Sequence, residues 1–422
     1  MLDIRFIREN KELTAKAIAQ KKANAELDRI LVLDEERRDF LAEVEQLRRR
    51  RNEVSEQINR LKKEGRDAES LIVEMRGVAD RIKEIDEKLR SIETELDRLL
   101  SFVPNIPAPD VPVGEDPSAN IEVRSWGEKP KFDFTPRPHY ELAEKLKMID
   151  FKAAGRITGS FFSLYLDWGA RLERALINFM LDKHRGQGYA EVSPPFVVNR
   201  RSMFNTGQLP KLEQDMYRVE SEDLFLIPTA EVPVTNILQD QVLPESDLPV
   251  YYTAYSPCFR LEAGAYGKDT RGLMRLHQFD KVEMVKFCRP EDSYAELEKL
   301  VADAESILQA LGLHYRVVLL CTGDMSFAAA KCYDLEAWAP GVGRYLEVSS
   351  CSNFEDFQAR RANIRCRGKD GNRILHTLNG SGVALARTVA ALLETYQQQD
   401  GSVVVPEVLR PYLENTPVIT AP

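Results

Sequence analysis

The chain has 422 residues, 43% of them hydrophobic and 30% charged, which is enough for a large buried core and predicts more than one domain. Its formal net charge of −9 argues against a protein that coats nucleic acid generally, although a local basic surface is compatible with it. No run approaches the ~18 consecutive apolar residues of a membrane span, and the N-terminus is charged where a secretory peptide is apolar, so we expect a soluble cytoplasmic protein.

Two long helices are predicted between residues 26 and 100, a region that is poor in glycine and proline and rich in Glu, Lys and Arg. Residues 75–99 place apolar side chains at alternating steps of three and four, which is the a/d pattern of a coiled coil. Residues 30–61 follow the same alternation, with Arg37 and Arg51 as polar members. The sequence therefore contains two seams of similar length.

The polar segment 62–67 contains Gly65 and separates the two seams. Glycine and polar residues can reverse the chain, so we predict that the two helices fold back as an antiparallel hairpin. At 1.5 Å per residue, a seam of about 30 residues makes an arm roughly 45 Å long.

Basic residues collect toward the predicted tip of this arm. Residues 47–66 hold 8 basic and 3 acidic side chains, whereas residues 26–100 as a whole hold 17 basic and 21 acidic ones. A projecting basic surface has the geometry to bind a phosphate backbone. On this pattern alone, however, a solvated helix face with Arg and Glu pairs is the simpler explanation of the charges.

Residues 103–112 contain four prolines and cannot continue a helix, so they are predicted to run extended as a linker. This predicts an N-terminal helical domain at 1–102 and a C-terminal domain at 113–422. In the latter, strand-like runs at 224–227, 282–287, 315–320 and 345–348 are mixed with helical runs at 166–184, 294–311 and 383–396. Crossover helices do not follow each strand, which favours an α+β domain with a mainly antiparallel sheet.

Several common kinds of site do not fit the sequence. The run that begins at Gly264 lacks the spacer of a P-loop and has no Ser or Thr directly after Lys268. The run around Ser381 lacks the third glycine of a dinucleotide loop and is not a nucleophile elbow. The six cysteines form no C-x-x-C pair, and the five histidines form no ligand cluster with them, so we expect reduced thiols and no zinc.

A dense polar stretch runs from residue 260 to residue 283 and includes a glycine-rich segment. Arg260 and Glu262 are expected on one face of a strand, and Phe279, Lys281 and Glu283 on one face of the return strand. A hairpin this charged suggests a site for an anionic ligand. A surface hairpin whose charges pair with one another is the alternative.

These segments resemble the three motifs of class II aminoacyl-tRNA synthetases, and nearly the whole chain is similar to bacterial-type seryl-tRNA synthetases. The motifs match residues 172–184 with 188–195, residues 259–283, and residues 380–387. The second motif, together with Thr229-Ala230-Glu231 and the run from Glu347 to Ser350, carries most of the resemblance. Alanines in the third motif depart from the glycines of other class II members, but Arg387 stays in register.

The resemblance implies that serine is activated with ATP and then transferred to tRNA. Neither step needs a protein nucleophile, so catalysis is expected to come from positioning and from neutralising phosphate charge. The catalytic residues implied by the resemblance are Arg260, Arg387 and Glu283. The ATP-binding residues implied in the same way are Arg260, Leu261, Glu262, Arg275, Phe279, Glu347, Val348, Ser349, Ser350 and Arg387.

The resemblance also assigns a serine pocket and a metal site. The serine-binding residues that it implies are Thr229, Ala230, Glu231, Arg260, Glu283 and Ser381, with Glu283 and Ser381 at the serine side chain and Thr229 and Glu231 at its ammonium group. Glu347 and Ser350 resemble Mg²⁺ ligands, and both offer the hard oxygen atoms that Mg²⁺ prefers.

The partners implied are L-serine, ATP, serine tRNA, selenocysteine tRNA and a second copy of the chain, which the first motif would contact. The tRNA-binding candidates on the arm are Arg48, Arg49, Arg50, Arg51, Lys62 and Lys63. Two alternatives stay open at this point. One is a synthetase-like ligase that loads an amino acid onto a carrier protein, although such ligases lack the long arm. The other is a non-catalytic coiled-coil protein that binds nucleic acid.

Overall fold

A computed structural model of the chain describes residues 1–262, 271–369 and 371–422. The chain forms two compact units, Leu2–Pro104 and Asn105–Pro422, the second of which includes Met1. Among the described helices, none combines the length and the hydrophobicity that a membrane crossing requires.

The first unit consists of helices. In chain order they are α1 (Ile4–Glu9), α2 (Lys11–Gln20), α3 (Leu27–Lys63) and α4 (Glu69–Leu100). Helices α3 and α4 lie antiparallel, because Arg48 pairs with Asp86 while Arg50, two residues nearer the turn, pairs with Glu74. The turn contains Gly65 at a φ of +69°, a backbone conformation that favours glycine. The predicted helical hairpin is therefore confirmed.

The seam of the arm is well buried near its base and only partly buried toward its tip. Ile85 and Ile30 are fully buried, whereas Ile58 and Met75 are half-buried. Val54, which lies farther along α3 toward the turn than Val44, is still fully buried, so single seam positions remain covered there.

The two arginines that interrupt the seam have different environments. Arg37 donates through Nη2 to Asp34 Oδ1 at 2.9 Å, and Asp34 is buried and also accepts from Arg8 Nη1 at 2.7 Å. Burial alone would raise the pKa of Asp34, but the hydrogen bonds and charges of Arg8 and Arg37 bring it below its ordinary value. Arg51, by contrast, is exposed.

The second unit contains helices and strands in mixed order. Its helices are α5 (His139–Lys145), α6 (Phe151–Thr158), α7 (Trp168–Gly186), α8 (Arg200–Asn205), α9 (Glu231–Asn236), α10 (Ser293–Ala310), α11 (Phe357–Ala362) and α12 (Leu385–Tyr396). Its strands are β1 (Ile121–Trp126), β2 (Ala190–Glu191), β3 (Val197–Asn199), β4 (Arg218–Val219), β5 (Leu224–Leu226), β6 (Val242–Pro244), β7 (Val250–Phe259), β8 (Gln278–Cys288), β9 (Tyr315–Leu319), β10 (Lys331–Ala339), β11 (Arg344–Asn353), β12 (Arg365–Gly368), β13 (Gly371–Ile374), β14 (His376–Ala384), β15 (Val403–Val404) and β16 (Val418–Ile419).

Eight of these strands form one large sheet in the order β1-β9-β10-β11-β14-β8-β7-β2. All neighbours in it are antiparallel except β2 and β7, which confirms the predicted α+β fold with a mainly antiparallel sheet. Helices α7, α10 and α12 share one apolar cluster with the sheet. Val282 and Met284 of β8 point into this cluster, so the alternate residues Lys281 and Glu283 point to the opposite face.

The proline-rich segment contains no helix or strand between Leu100 and Pro117. It is nevertheless an ordered part of the second unit from Asn105 onward, because the Asn105 side chain donates to the carbonyl oxygens of Ala328 and Phe354 at 2.9 and 2.8 Å. The prolines thus end the helix as expected. The role of residues 103–112 as a linker between two domains stays a prediction.

Candidate active site

A cavity of about 770 Å³ opens on the second unit where β8, β11 and β14 meet the loops that follow α8 and β7. Most of the residues predicted from the sequence line it together. They are Thr229, Glu231, Arg260, Glu262, Arg275, Phe279, Glu283, Glu347, Val348, Ser349, Ser350, Ser381 and Arg387. Residues that are more than 150 positions apart in the chain therefore converge on one site.

Two of the predicted ATP-binding and serine-binding residues do not line the cavity. Ala230 is buried in a neighbouring apolar cluster, and the backbone N–H of Leu261 donates to the Asp215 carbonyl oxygen at 2.9 Å. Gly264 and Lys268, which belong to the glycine-rich segment of the polar stretch, lie outside the described residues.

The polar stretch is only partly a strand hairpin. Phe279, Lys281 and Glu283 share the cavity face of β8 as predicted. The expectation that Arg260 and Glu262 share a strand face is wrong, because β7 ends at Phe259 and Glu262 has a φ of +50°, which no extended strand adopts. Both side chains still reach the cavity, but they do so from a loop.

Three guanidinium groups, those of Arg260, Arg275 and Arg387, give the cavity a cationic region. Arg387 Nη1 lies 3.2 Å from Glu347 Oε2 and donates to the Glu347 carbonyl oxygen at 2.9 Å. Arg275 Nε lies 2.9 Å from Glu262 Oε2. Planar guanidinium groups suit phosphate oxygens, so this region can bind a polyphosphate.

Arg275 follows a segment that is held by a buried histidine. The backbone N–H of Leu273 donates to His139 Nε2 at 3.1 Å, and His139 Nδ1 lies 2.8 Å from Glu394 Oε1. His139 and Glu394 are both fully buried. Since Glu394 belongs to α12, the helix that carries Arg387, this contact fixes the chain before Arg275 relative to Arg387.

A bulge in β11 places two predicted metal ligands in the cavity. Opposite β10, Ser349 pairs with Leu335 and Glu347 with Glu336, so Val348 is an extra residue. In a regular strand Glu347 and Ser350 would point to opposite faces, but the bulge lets both line the cavity. A carboxylate and a hydroxyl oxygen are a fitting partial ligand set for Mg²⁺, which completes its shell with water and phosphate oxygens.

Other metal-binding arrangements are not found in the described ranges, which contain no group of three or more His, Cys, Asp or Glu side chains that could hold an ion.

Asp334 lies on β10 directly opposite Ser350 and is buried. Its burial, together with the nearby Glu347 carboxylate, raises the pKa of Asp334.

The other end of the cavity contains a buried carboxylate that has a polar partner on each of its two oxygens. Glu283 is 1% exposed, and its Oε2 lies 2.6 Å from Lys281 Nζ. Thr229 Oγ1 donates to the same oxygen at 3.2 Å, and Asn379 Nδ2 donates to Oε1 at 3.2 Å. Lys281 neutralises the charge, while Thr229 and Asn379 fix the plane of the carboxylate.

A second buried carboxylate, Glu231, lies at the same end. Burial raises the pKa of Glu231 to about 7, and the charge of Glu283 acts in the same direction, while Gln358, Lys281 and Arg260 oppose it. Because Lys281 already pairs with Glu283, ionised Glu231 has no ion pair of its own among the described residues, and Arg260 acts on it only through its charge. A ligand with an ammonium group would supply that missing partner.

Three residues of this end were not predicted as site residues: Lys281, Gln358 and Asn379. The alternation along the strand placed Lys281 on the correct face, between Phe279 and Glu283. This position alone could have identified Lys281 as a cation of the site. Gln358 and Asn379 are uncharged and come from distant segments, so no local pattern in the sequence identified them.

The mainly antiparallel sheet, with Arg260 and Arg275 on loops and Arg387 on a helix around one cavity, defines a class II aminoacyl-tRNA synthetase catalytic domain. Residues 216–396 match the family model described as tRNA synthetase class II core domain (G, H, P, S and T). Residues 1–107 match the family model described as Seryl-tRNA synthetase N-terminal domain.

Whole-length relatives narrow the class to one family. The chain is 60% identical over 417 residues to the serine–tRNA ligase of Caldanaerobacter subterraneus subsp. tengcongensis, covering 98% of both chains. It is 58% identical to that of Geobacillus kaustophilus, covering 99% of this chain and all of the relative. The crystal structure of seryl-tRNA synthetase from Pyrococcus horikoshii complexed with ATP is 38% identical, with a TM-score of 0.95 and full coverage of both chains. The chain belongs to the seryl-tRNA synthetase family, which confirms the resemblance.

Removal of Lys281 should destabilise the second unit. Lys281→Met leaves the Glu283 carboxylate buried without its cation, and breaking such a pair costs about 3 kcal/mol. We expect that loss at pH 8 in denaturant unfolding followed by tryptophan fluorescence, because all three tryptophans, Trp126, Trp168 and Trp338, lie in this unit.

The double variant Lys281→Met/Glu283→Gln, which removes both charges, should recover most of the lost stability. Lys131→Met, at an exposed lysine, serves as the control and should have little effect. A double variant as unstable as Lys281→Met would show that the charge pair is not the cause.

Proposed function

We propose that this chain ligates L-serine to serine tRNA in two steps. An oxygen of the serine carboxylate attacks the α-phosphorus of ATP, the bond to the bridging oxygen breaks, and pyrophosphate leaves. The terminal ribose hydroxyl of the tRNA then attacks the carbonyl of seryl-adenylate, and AMP leaves. The observation that carries this proposal is the convergence of three arginines and two buried carboxylates on one cavity, in a chain of the seryl-tRNA synthetase family.

ATP would lie along the cationic region of the cavity. Arg260 would contact the α-phosphate, and Arg275 and Arg387 the outer phosphates. Glu262 would accept a hydrogen bond from the adenine amino group, and the adenine ring would lie on the ring of Phe279. Leu261 would contribute through its backbone, since it lies outside the cavity lining, whereas Val348 and Ser349 line the cavity. Such preorganised charges stabilise the transition state without a protein nucleophile.

Mg²⁺ would be held by Glu347 and Ser350, which the bulge in β11 brings to one face. When bound, it would neutralise charge on the phosphates of ATP. The Glu347 carboxylate also contacts Arg387, so the same residue would link the metal site to the phosphate-binding arginine.

Serine would occupy the end of the cavity with the two buried carboxylates. Glu231 and Thr229 would receive its ammonium group, with Ala230 supplying backbone between them. Glu283 and Ser381 would contact its hydroxyl group. Alanine would place a methyl group at this polar end and lose the contacts of the hydroxyl with Glu283 and Ser381, and a site built in this way rejects a molecule that lacks the hydroxyl.

The helical arm would bind the tRNA backbone through its basic tip. Arg48, Arg49 and Arg50 each pair with a carboxylate, those of Asp86, Glu53 and Glu74, as the simpler interpretation of the pattern expected. The remaining candidates, Arg51, Lys62 and Lys63, are exposed and have no ion pair within the described part of the chain. These three are therefore the stronger phosphate-binding candidates.

The proposal extends to the assembly and its partners. Two copies of the chain would associate through the first motif, which the structure forms from α7 and β2. Serylation of selenocysteine tRNA would use the same arm, and the reaction would take place in the cytoplasm, where charged tRNA is consumed. The alternative of a carrier-protein ligase does not explain the long arm, and that of a non-catalytic protein does not explain the convergence of Arg260, Glu283 and Arg387.

Arg260→Ala should lower serine-dependent ATP–pyrophosphate exchange by about 100-fold or more, the scale for removing one preorganised charge contact in an active site. Arg367→Ala, at an exposed arginine on β12 outside the cavity, is the matched control and should retain the parent rate. Exchange that is equal in the two variants would remove Arg260 from the mechanism.

The triple variant Arg51→Ala/Lys62→Ala/Lys63→Ala should bind serine tRNA more weakly without loss of amino-acid activation. Each lost phosphate contact lowers the slope of log affinity against log salt by a little under 1, so three contacts should flatten it by about 2 to 3. Binding measured across a salt series and exchange measured without tRNA test the two parts separately.

The control for this experiment is Arg29→Ala/Lys83→Ala/Arg90→Ala, which removes the same charge from exposed positions away from the tip. If the control weakens tRNA binding as much as the tip variant does, net charge rather than the tip determines binding.

A further inference from the structure

Gln358 is a buried amide that connects three segments around the serine end of the cavity. It lies on α11 and is 1% exposed. Its Nε2 donates to Glu231 Oε1 at 2.6 Å and to the Thr206 carbonyl oxygen at 3.2 Å. Its Oε1 accepts from Thr377 Oγ1 at 2.7 Å. Every hydrogen of the side-chain amide is therefore used.

The orientation of this amide is determined by its partners. A carbonyl oxygen and an ionised carboxylate only accept hydrogen bonds, so both must face the nitrogen of Gln358. Thr377 carries a hydroxyl that can donate to the remaining oxygen. A flipped amide would place oxygen against oxygen at Glu231 and at Thr206, which is unfavourable in a buried site.

Glu231 depends on Gln358 more than on any other described side chain. In the described ranges no other side chain donates a hydrogen bond to the Glu231 carboxylate, because Lys281 contacts Glu283 and Arg260 Nε donates to the Pro228 carbonyl oxygen. Gln358 contacts Oε1 only. Oε2 is thus left for a ligand in the cavity.

We propose that Gln358 is a positioning residue for serine, which holds the Glu231 carboxylate in the orientation that receives the ammonium group and ties it to the loop at Thr206. This inference rests on the proposed function. Thr206 and Gly207 line the cavity, and Gly207 packs tightly, since a Cβ atom there would lie 3.0 Å from Ala328 Cβ. Gln358 therefore joins the ammonium site to a closely packed wall of the cavity.

The contact should also affect the pH dependence of serine use. Burial and the Glu283 charge raise the pKa of Glu231 to about 7, while the Gln358 hydrogen bond and the charges of Lys281 and Arg260 lower it. Only ionised Glu231 can pair with an ammonium group, so kcat/KM for serine should rise as the pH passes through the pKa of the free enzyme. Without the hydrogen bond, that rise should occur at higher pH.

The test is ATP–pyrophosphate exchange by Gln358→Met across pH 6 to 9. Methionine keeps the length of the side chain but cannot hydrogen-bond. We expect KM for serine to increase by about 10-fold or more at pH 7, the scale for a hydrogen bond to a charged group. KM for ATP should change less than about 2-fold, and the midpoint of the pH profile for serine should move upward by about half a unit or more.

Thr377→Val is the matched control, because it removes the contact on the far side of Gln358 and leaves both N–H donors in place. It should shift neither KM for serine nor the pH midpoint by as much as Gln358→Met.

Gln358→Asn, which is one methylene too short to reach both Glu231 and Thr377, gives the same predictions if Gln358→Met does not fold. In a Glu231→Gln background, Gln358→Met should cause little further loss.

Two failures can be told apart. A parent protein without serine-dependent exchange overturns the proposed function and this inference with it. A parent that is active, together with a Gln358→Met variant that is folded and keeps the parent KM for serine and the parent pH midpoint, overturns this inference alone. Equal losses for serine and ATP without a shift in the pH midpoint would show a purely structural role and would contradict it as well.

Discussion

Two carboxylates, Glu231 and Glu283, are buried close together in the cavity, and their charges must be balanced. Both lie at one end of this cavity. Lys281 pairs with Glu283, and no cation of the described residues forms an ion pair with Glu231. Burying an unbalanced charge is unfavourable, so the pocket favours a ligand that brings one positive charge. In the proposed function, serine would do so through its ammonium group, and its hydroxyl would meet the Glu283 carboxylate, whose orientation is already fixed by Thr229 and Asn379.

The frame of the second unit explains how these groups come together. Alternation along β8 sends Val282 and Met284 into the apolar layer under α7, α10 and α12, which leaves Lys281 and Glu283 on the opposite face. The bulge at Val348 breaks the alternation of β11 and turns Glu347 toward the same cavity as Ser350. Regular pairing thus builds the proposed amino-acid end of the site, and an irregularity builds the proposed metal end.

Much of this arrangement follows from local sequence patterns. Heptads predicted the arm, mixed runs predicted the antiparallel sheet, and alternation placed Lys281 and Glu283 on one strand face. The bulge in β11 and the left-handed backbone of Glu262 could not be predicted, because each depends on contacts made by the folded chain. The same is true of Gln358, which meets Glu231 only after residues 127 positions apart are folded together. The ion pairs of Arg48 and Arg50 across the arm also depend on the register of α3 against α4.

If Glu283 recognises the serine hydroxyl, its replacement should weaken the discrimination between serine and alanine. The measurement is kcat/KM for serine and for alanine in ATP–pyrophosphate exchange, for the parent and for Glu283→Gln. Glutamine keeps the size of the side chain and an acceptor oxygen but removes the charge that pairs with Lys281. The account predicts a strong preference for serine in the parent and a ratio at least about 10-fold smaller in the variant, because the hydroxyl loses a charged partner. A folded variant with the same ratio as the parent would contradict it, since another group would then recognise the hydroxyl.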